Sequence, residues 1–118
     1  MKYLLKFNES ASDTVREFCN DNLATLIDSG FEIVTDQLPD YSIRVFLQND
    51  FKRRFKWVDV QDEFMTFLQM LSSRYEIRNN ELYFHLYNAR GVRLDINNML
   101  EDDNLFPAED INNISFVV

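Results

Sequence analysis

The stretch Tyr41-Ser42-Ile43-Arg44-Val45-Phe46-Leu47-Gln48 alternates strictly, with Tyr41, Ile43, Val45 and Leu47 on one side and Ser42, Arg44, Phe46 and Gln48 on the other. That is the period of a half-buried β-strand, and the aliphatic side is its core face. Just upstream, Phe31 to Thr35 reads as a second strand, and Leu38-Pro39-Asp40 supplies the residues of a turn. The two strands are expected to form a hairpin.

A helix is expected on each side of the hairpin. Before it, Val15, Phe18, Cys19, Leu23, Leu26 and Ile27 recur at three- and four-residue steps, with Ser12 placed to cap the first turn and Gly30 to end the helix. After it, Val60, Phe64, Phe67, Leu68 and Leu71 form an apolar stripe that runs to about Ser73, with Asp59 as the expected cap.

Two further segments alternate. Tyr3, Leu5 and Phe7 oppose Lys2, Leu4 and Lys6, and Leu82, Phe84 and Leu86 oppose Tyr83, His85 and Tyr87 within Glu81 to Tyr87. The resulting order is strand, helix, strand, strand, helix, strand. With right-handed crossovers this gives an α+β, ferredoxin-like βαββαβ sandwich, two helices on one face of an antiparallel sheet. One domain over residues 1–118 is expected, with the core unit in 1–87 and a C-terminal extension in 88–118. The extension holds a short strand at Val92 to Ile96 and an apolar run from Ile114 to Val118, placed either at the sheet's edge or across its open face.

Composition narrows the function. Hydrophobic residues make up 46% of the 118, enough for one real core, and only two Gly and two Pro occur, which excludes Gly-rich phosphate loops and Pro-rich recognition tracts. The longest apolar runs are a few residues, so no membrane span is expected. Met1 to Phe7 is too short and too interrupted for the apolar region of a secretory signal, and the single Cys19 speaks against a disulfide framework. A cytoplasmic protein is expected.

Twenty acidic residues against twelve basic give a net charge of −8, which favours basic partners and repels polyanions at long range. Against that background, Phe51-Lys52-Arg53-Arg54-Phe55-Lys56-Trp57 gathers four of the twelve basic residues. Basic residues interleaved with aromatics receive acidic partners or clamp phosphates while stacking bases. The same residues also suit a loop anchored by Phe55 and Trp57 whose charged heads reach water or the protein's own carboxylates. The open sheet face is the second candidate, displaying Lys6, Arg44, Phe46, Tyr83, His85 and Tyr87. Aromatics on such a face stack bases in some RNA-binding sheets, yet Tyr83-Phe84-His85-Leu86-Tyr87 lacks the glycine-rich pattern of those domains.

Catalytic and metal chemistry finds little support. Cys19 lies on an apolar helix stripe, where a thiol acts as a small hydrophobe. His85 is the only histidine, and no nucleophile is placed beside it. The acidic stretch Asp95, Asn97, Glu101, Asp102 and Asp103 puts Leu100 and Phe106 where a calcium loop needs Gly and a bidentate Glu. No cofactor and no metal are expected.

The opening Met1-Lys2-Tyr3-Leu4-Leu5-Lys6-Phe7-Asn8-Glu9, followed by an acidic chain rich in Asn and Phe, resembles small proteins of large tailed bacteriophages. It is also similar to phage head-targeting peptides, which end in an aliphatic-x-Glu cleavage site; Phe7-Asn8-Glu9 departs from that pattern at its first position. The resemblance implies a protein that occludes a host or phage protein, and a DNA-mimicking acidic inhibitor is a variant of that reading. The expectation is therefore a non-enzymatic protein–protein interaction protein, acting on a protein partner or as a homodimer. Its expected contact residues are Arg44, Phe46, Lys52, Arg53, Arg54, Phe55, Lys56, Trp57, Tyr83, His85 and Tyr87. The alternative is a weak single-stranded nucleic-acid binder using the same groups.

Overall fold

The structure, a computed structural model, describes residues 13–49, 53–87, 90–101 and 110–118. The strand expected at residues 2–7, with Lys6, and the Ser12 cap lie outside them, as does Lys52. The described elements are helix α1 (residues 13–22), α2 (Ala24–Asp28), β1 (Phe31–Gln37), β2 (Ile43–Asn49), α3 (Trp57–Arg74), a 3-10 turn (Arg78–Asn80), β3 (Glu81–Leu86), β4 (Val92–Asp95), α4 (Ile96–Glu101) and β5 (Ile111–Val117).

The single helix expected before the hairpin is broken at Leu23, whose ψ of 26° leaves the helical region. Beside the break the Asn22 side-chain amide donates to the Phe18 carbonyl at 2.7 Å, a bond that competes with the backbone ladder. Gly30 then takes φ 98°, a conformation a side chain resists, and turns the chain into β1.

The hairpin forms in the register Val34↔Phe46 and Asp36↔Arg44. Tyr41 is not part of β2 as the alternation suggested: it sits in the turn at φ 68° and is exposed. The helix α3 starts two residues before Asp59, so this residue does not occupy the cap position; its carboxylate accepts from the Lys56 amide at 2.9 Å, half of a capping box.

All described strand pairs are antiparallel, in the order β1-β2-β5-β3-β4. The strand order thus differs from the one the sequence suggested. The C-terminal run neither extends the edge nor crosses the open face. As β5 it hydrogen-bonds to both β2 and β3, which makes it the central strand of the described sheet. A bulge at Asn112 shifts its register between His85 and Leu86.

One sheet face is buried. Val45, Leu47, Leu82, Phe84, Ile111 and Ile114 join a single cluster with the inward residues of the helices, among them Val15, Cys19, Leu26, Phe64, Leu68 and Met99. Aromatic rings knit it together: Trp57 meets Phe64 at 5.9 Å and Phe84 at 5.6 Å between centroids, and Phe67 reaches Phe116 at 6.1 Å. Each fully buried side chain of this kind contributes about 1.5–3 kcal/mol. Helices on this face leave the other one to carry the polar chemistry.

Candidate functional site: the open sheet face

Register determines which side chains meet on the outer face. Val34 on β1 pairs with Phe46 on β2, Phe46 with Ser115 on β5, Ser115 with Tyr83 on β3, and Tyr83 with Arg93 on β4. One continuous row therefore crosses all five strands. The adjacent row, Glu32, Gln48, Asn113 and His85, is polar, and Gln48 donates to Glu32 at 2.7 Å.

A cleft of about 430 Å³ opens over this row, a size within the usual range of binding sites. Its floor is Ser115, a small residue between Phe46 and Tyr83. Its walls bring Arg44, Arg78 and Arg93 against a single carboxylate, Glu81. That balance inverts the charge of the chain as a whole, with its twenty acidic and twelve basic residues. Arg78 is ion-paired with Asp40, so the field that draws anionic groups into this concave, partly apolar site comes chiefly from Arg44 and Arg93.

Each arginine is held differently. Arg78 donates to the Asp40 carboxylate and to the Ser42 hydroxyl, both at 2.7 Å, which fixes the turn before β2 beside the 3-10 turn before β3. The Asp40 carboxylate also accepts from the Ser42 hydroxyl and amide; those bonds, joined by Arg78, hold its pKa below the usual carboxylate range. Arg93 lies over the Tyr83 ring, 5.6 Å from its centroid. Arg44 is exposed and has no ion pair within 4 Å among the described residues, although Asp36 is its cross-strand neighbour. Gly91 gives the Tyr83 ring its space, since a side-chain carbon there would clash with the phenolic end of the ring.

The expected contact residues thus divide into three groups. Arg44, Phe46, Tyr83 and His85 do come together on the open face, His85 with its ring 6.2 Å from that of Tyr83. Tyr87 does not join them: it follows the end of β3, and its ring stacks under the Arg54 guanidinium at 4.2 Å, in a separate hollow lined by Arg53, Arg54, Tyr87 and Asn112. Phe55 and Trp57 are 6% and 5% exposed, so their rings belong to the core and offer no surface to a partner. Phe55 bridges to Ile111 through two backbone bonds, of 2.8 and 2.6 Å.

The basic segment is also partly neutralised. Asp110 receives Lys56 at 2.8 Å and Arg54 at 3.2 Å. The Lys56 hydrogen bond, together with the charges of Lys56 and Arg54, holds the Asp110 carboxyl below its ordinary range. These contacts strap residues 53–56 to the start of β5.

Sequence reasoning missed Arg78 and Arg93. Arg93 was within reach, because alternation in Val92-Arg93-Leu94 turns it away from its aliphatic neighbours, and only the pairing of β4 with β3 was lacking. Arg78 carries no periodic signal. It enters the site through a turn in which Asn79 and Asn80 both take positive φ, 56° and 52°.

The other candidates are structural. Cys19 is fully buried, and desolvation pushes its thiol up to about 12. Asp95 caps α4, accepting from the Asn97 amide at 2.9 Å; Asp102, Asp103 and Phe106 lie outside the described residues. Among the described residues no group of acidic, His and Cys side chains is arranged to hold a metal, and no helix is long and apolar enough to cross a membrane. Compared with protein-family models, with curated proteins and with solved structures, the chain matches none.

Proposed function

We propose that this protein is a non-enzymatic interaction module that engages another protein through the open face of its sheet. The observation that carries this reading is the cleft of Arg44, Arg78 and Arg93 over the Phe46, Ser115 and Tyr83 row, a basic and aromatic concavity on an acidic chain. Aromatic and Arg side chains are the residues that anchor protein contacts most often. The likeness of residues 1–9 to small tailed-phage proteins supports a role in occupying a surface of a host or phage protein.

The described order of α1, the β1–β2 hairpin, α3 and β3 is that of a βαββαβ unit without its first strand. The place between β2 and β3 that such a unit gives to that strand is filled, antiparallel to both, by β5. We read the fold as a ferredoxin-like sandwich whose central strand comes from the C-terminal end. A chain in which residues 110–118 are moved by a linker ahead of residue 13 is expected to keep cooperative unfolding; its failure to fold rejects this description.

The functional test is photocrosslinking from two positions. A benzophenone amino acid replaces Phe46 in the cleft or Met70, an exposed residue on α3. Position 46 is expected to give a discrete adduct, with another protein or with a second copy of the chain, that disappears when Arg44 and Arg93 are changed to Glu. Equal adducts from both positions, or adducts indifferent to those changes, reject the open face as the contact surface.

A further inference from the structure

The cationic groups of the cleft are separated from one another. Arg44 on β2 and Arg93 on β4 are three strand steps and two residues apart, about 16 Å between Cα atoms from steps of about 4.8 Å and residues of about 3.3 Å. Between them lies the Phe46, Ser115 and Tyr83 row. A single small anion reaches one end of such a span, whereas an extended chain covers it in about five residues at about 3.3 Å each. A helix about 10 Å across does not sink into a hollow of about 430 Å³ over that length.

Resting on the open-face reading above, we infer that the cleft takes an extended acidic segment of a partner protein. Its carboxylates, four to five residues apart, meet Arg44 and Arg93, and an apolar residue between them sits on Ser115 between Phe46 and Tyr83. Arg78 also lines the cleft, but it is held by its bonds to Asp40 and Ser42, and Asp40 already balances its charge. Guanidinium forks suit carboxylates through paired hydrogen bonds, so the charge complementarity is also geometric.

Two observations favour a peptide over a single-stranded nucleic acid as occupant. A face of the Tyr83 ring is already covered by Arg93 and its neighbourhood is shared by His85, which reduces the aromatic surface open to a base. A nucleic acid also brings a charge at every step toward a protein of net −8, while two or three carboxylates meet the local cleft without a long run of repulsion.

The experiment is fluorescence anisotropy with three labelled probes: the peptide Glu-Ser-Phe-Ser-Glu-Ser-Phe-Ser-Glu, the same composition with its three Glu adjacent, and a nine-base oligothymidine. The spaced peptide is expected to bind best and to weaken about tenfold on each of R44E and R93E, the loss of one charge-assisted contact. R16E, a change on α1 far from the cleft in sequence, is expected to leave it unchanged. Circular dichroism and thermal melting confirm that the variants fold. Preference for the oligonucleotide, equal binding of the two peptides, or loss in R16E alike overturns the inference. If no probe binds while the position 46 adduct still forms and still needs Arg44 and Arg93, the acidic-segment inference fails and the open-face reading stands. If the adduct is lost as well, both fail.

Discussion

Tyr83 on β3 stands directly opposite Ser115 on β5, so the tyrosine that walls the cleft is placed by a strand from the far end of the chain. The small residue is what keeps the row hollow, because Phe46 flanks it on the other side. Replacing Ser115 with Leu fills the floor with a side chain well suited to a strand. The variant is expected to fold, with stability changed by about 1 kcal/mol or less, and to lose the spaced acidic peptide in the anisotropy assay. Undiminished binding by S115L contradicts the assignment of the floor.

Much of the fold was legible because it is written in short-range periodicity. The period of two in Ile43, Val45 and Leu47 and the stripe of Val60, Phe64 and Phe67 each follow from one buried face, and both are buried as read. What stayed hidden was long-range. Ile114 to Val118 reads as an apolar run whichever strands it joins, and nothing local says that it pairs with β2 and β3 together. The break at Leu23 interrupts no apolar spacing and so leaves no periodic signal, and Tyr41 extends an apolar alternation while standing in a turn. The site was half legible for the same reason. Arg44, Phe46, Tyr83 and His85 share a face by alternation alone, whereas Phe55 and Trp57 carry the composition of a binding loop and the burial of a core.

The core predicts its own energetics. Phe84 is fully buried, packs on Trp57 and pairs across the sheet with Ile114. Truncation to Ala is expected to cost about 3–5 kcal/mol, a large share of the roughly 5–15 kcal/mol by which a domain of this kind is stable. Urea unfolding of F84A measures it, and a loss below about 1 kcal/mol contradicts the burial on which the sheet face is assigned.

Asp40 and Asp110 predict the acid limb of stability. Both carboxyls are held below their ordinary range, by the Ser42 bonds with Arg78 and by Lys56 with Arg54 respectively. A group whose folded pKa is lowered adds stability above its unfolded value, near 3.9, and loses it as pH falls through the folded value. D40N and D110N are therefore expected to melt below the wild type at pH 7, with the difference closing as pH falls beneath about 4. A difference that stays constant down to pH 2 rejects these pairs as the cause.

Cys19 predicts chemical silence. With its thiol fully buried and pushed up to about 12, the folded protein is expected to leave Ellman's reagent unreacted at pH 8 and to release one equivalent of chromophore once urea unfolds it. Rapid reaction of the folded protein contradicts the packing of α1 against the sheet.

The most direct test of the central claim is an NMR titration that follows the arginine side-chain Nε–Hε signals as the spaced acidic peptide is added. Saturable shifts are expected at Arg44, Arg78 and Arg93, with Arg53 and Arg54 unmoved beside Tyr87 and Asp110. Shifts confined to Arg53 and Arg54, or no shift at Arg44 and Arg93 at saturating peptide, contradict the open sheet face as the binding surface.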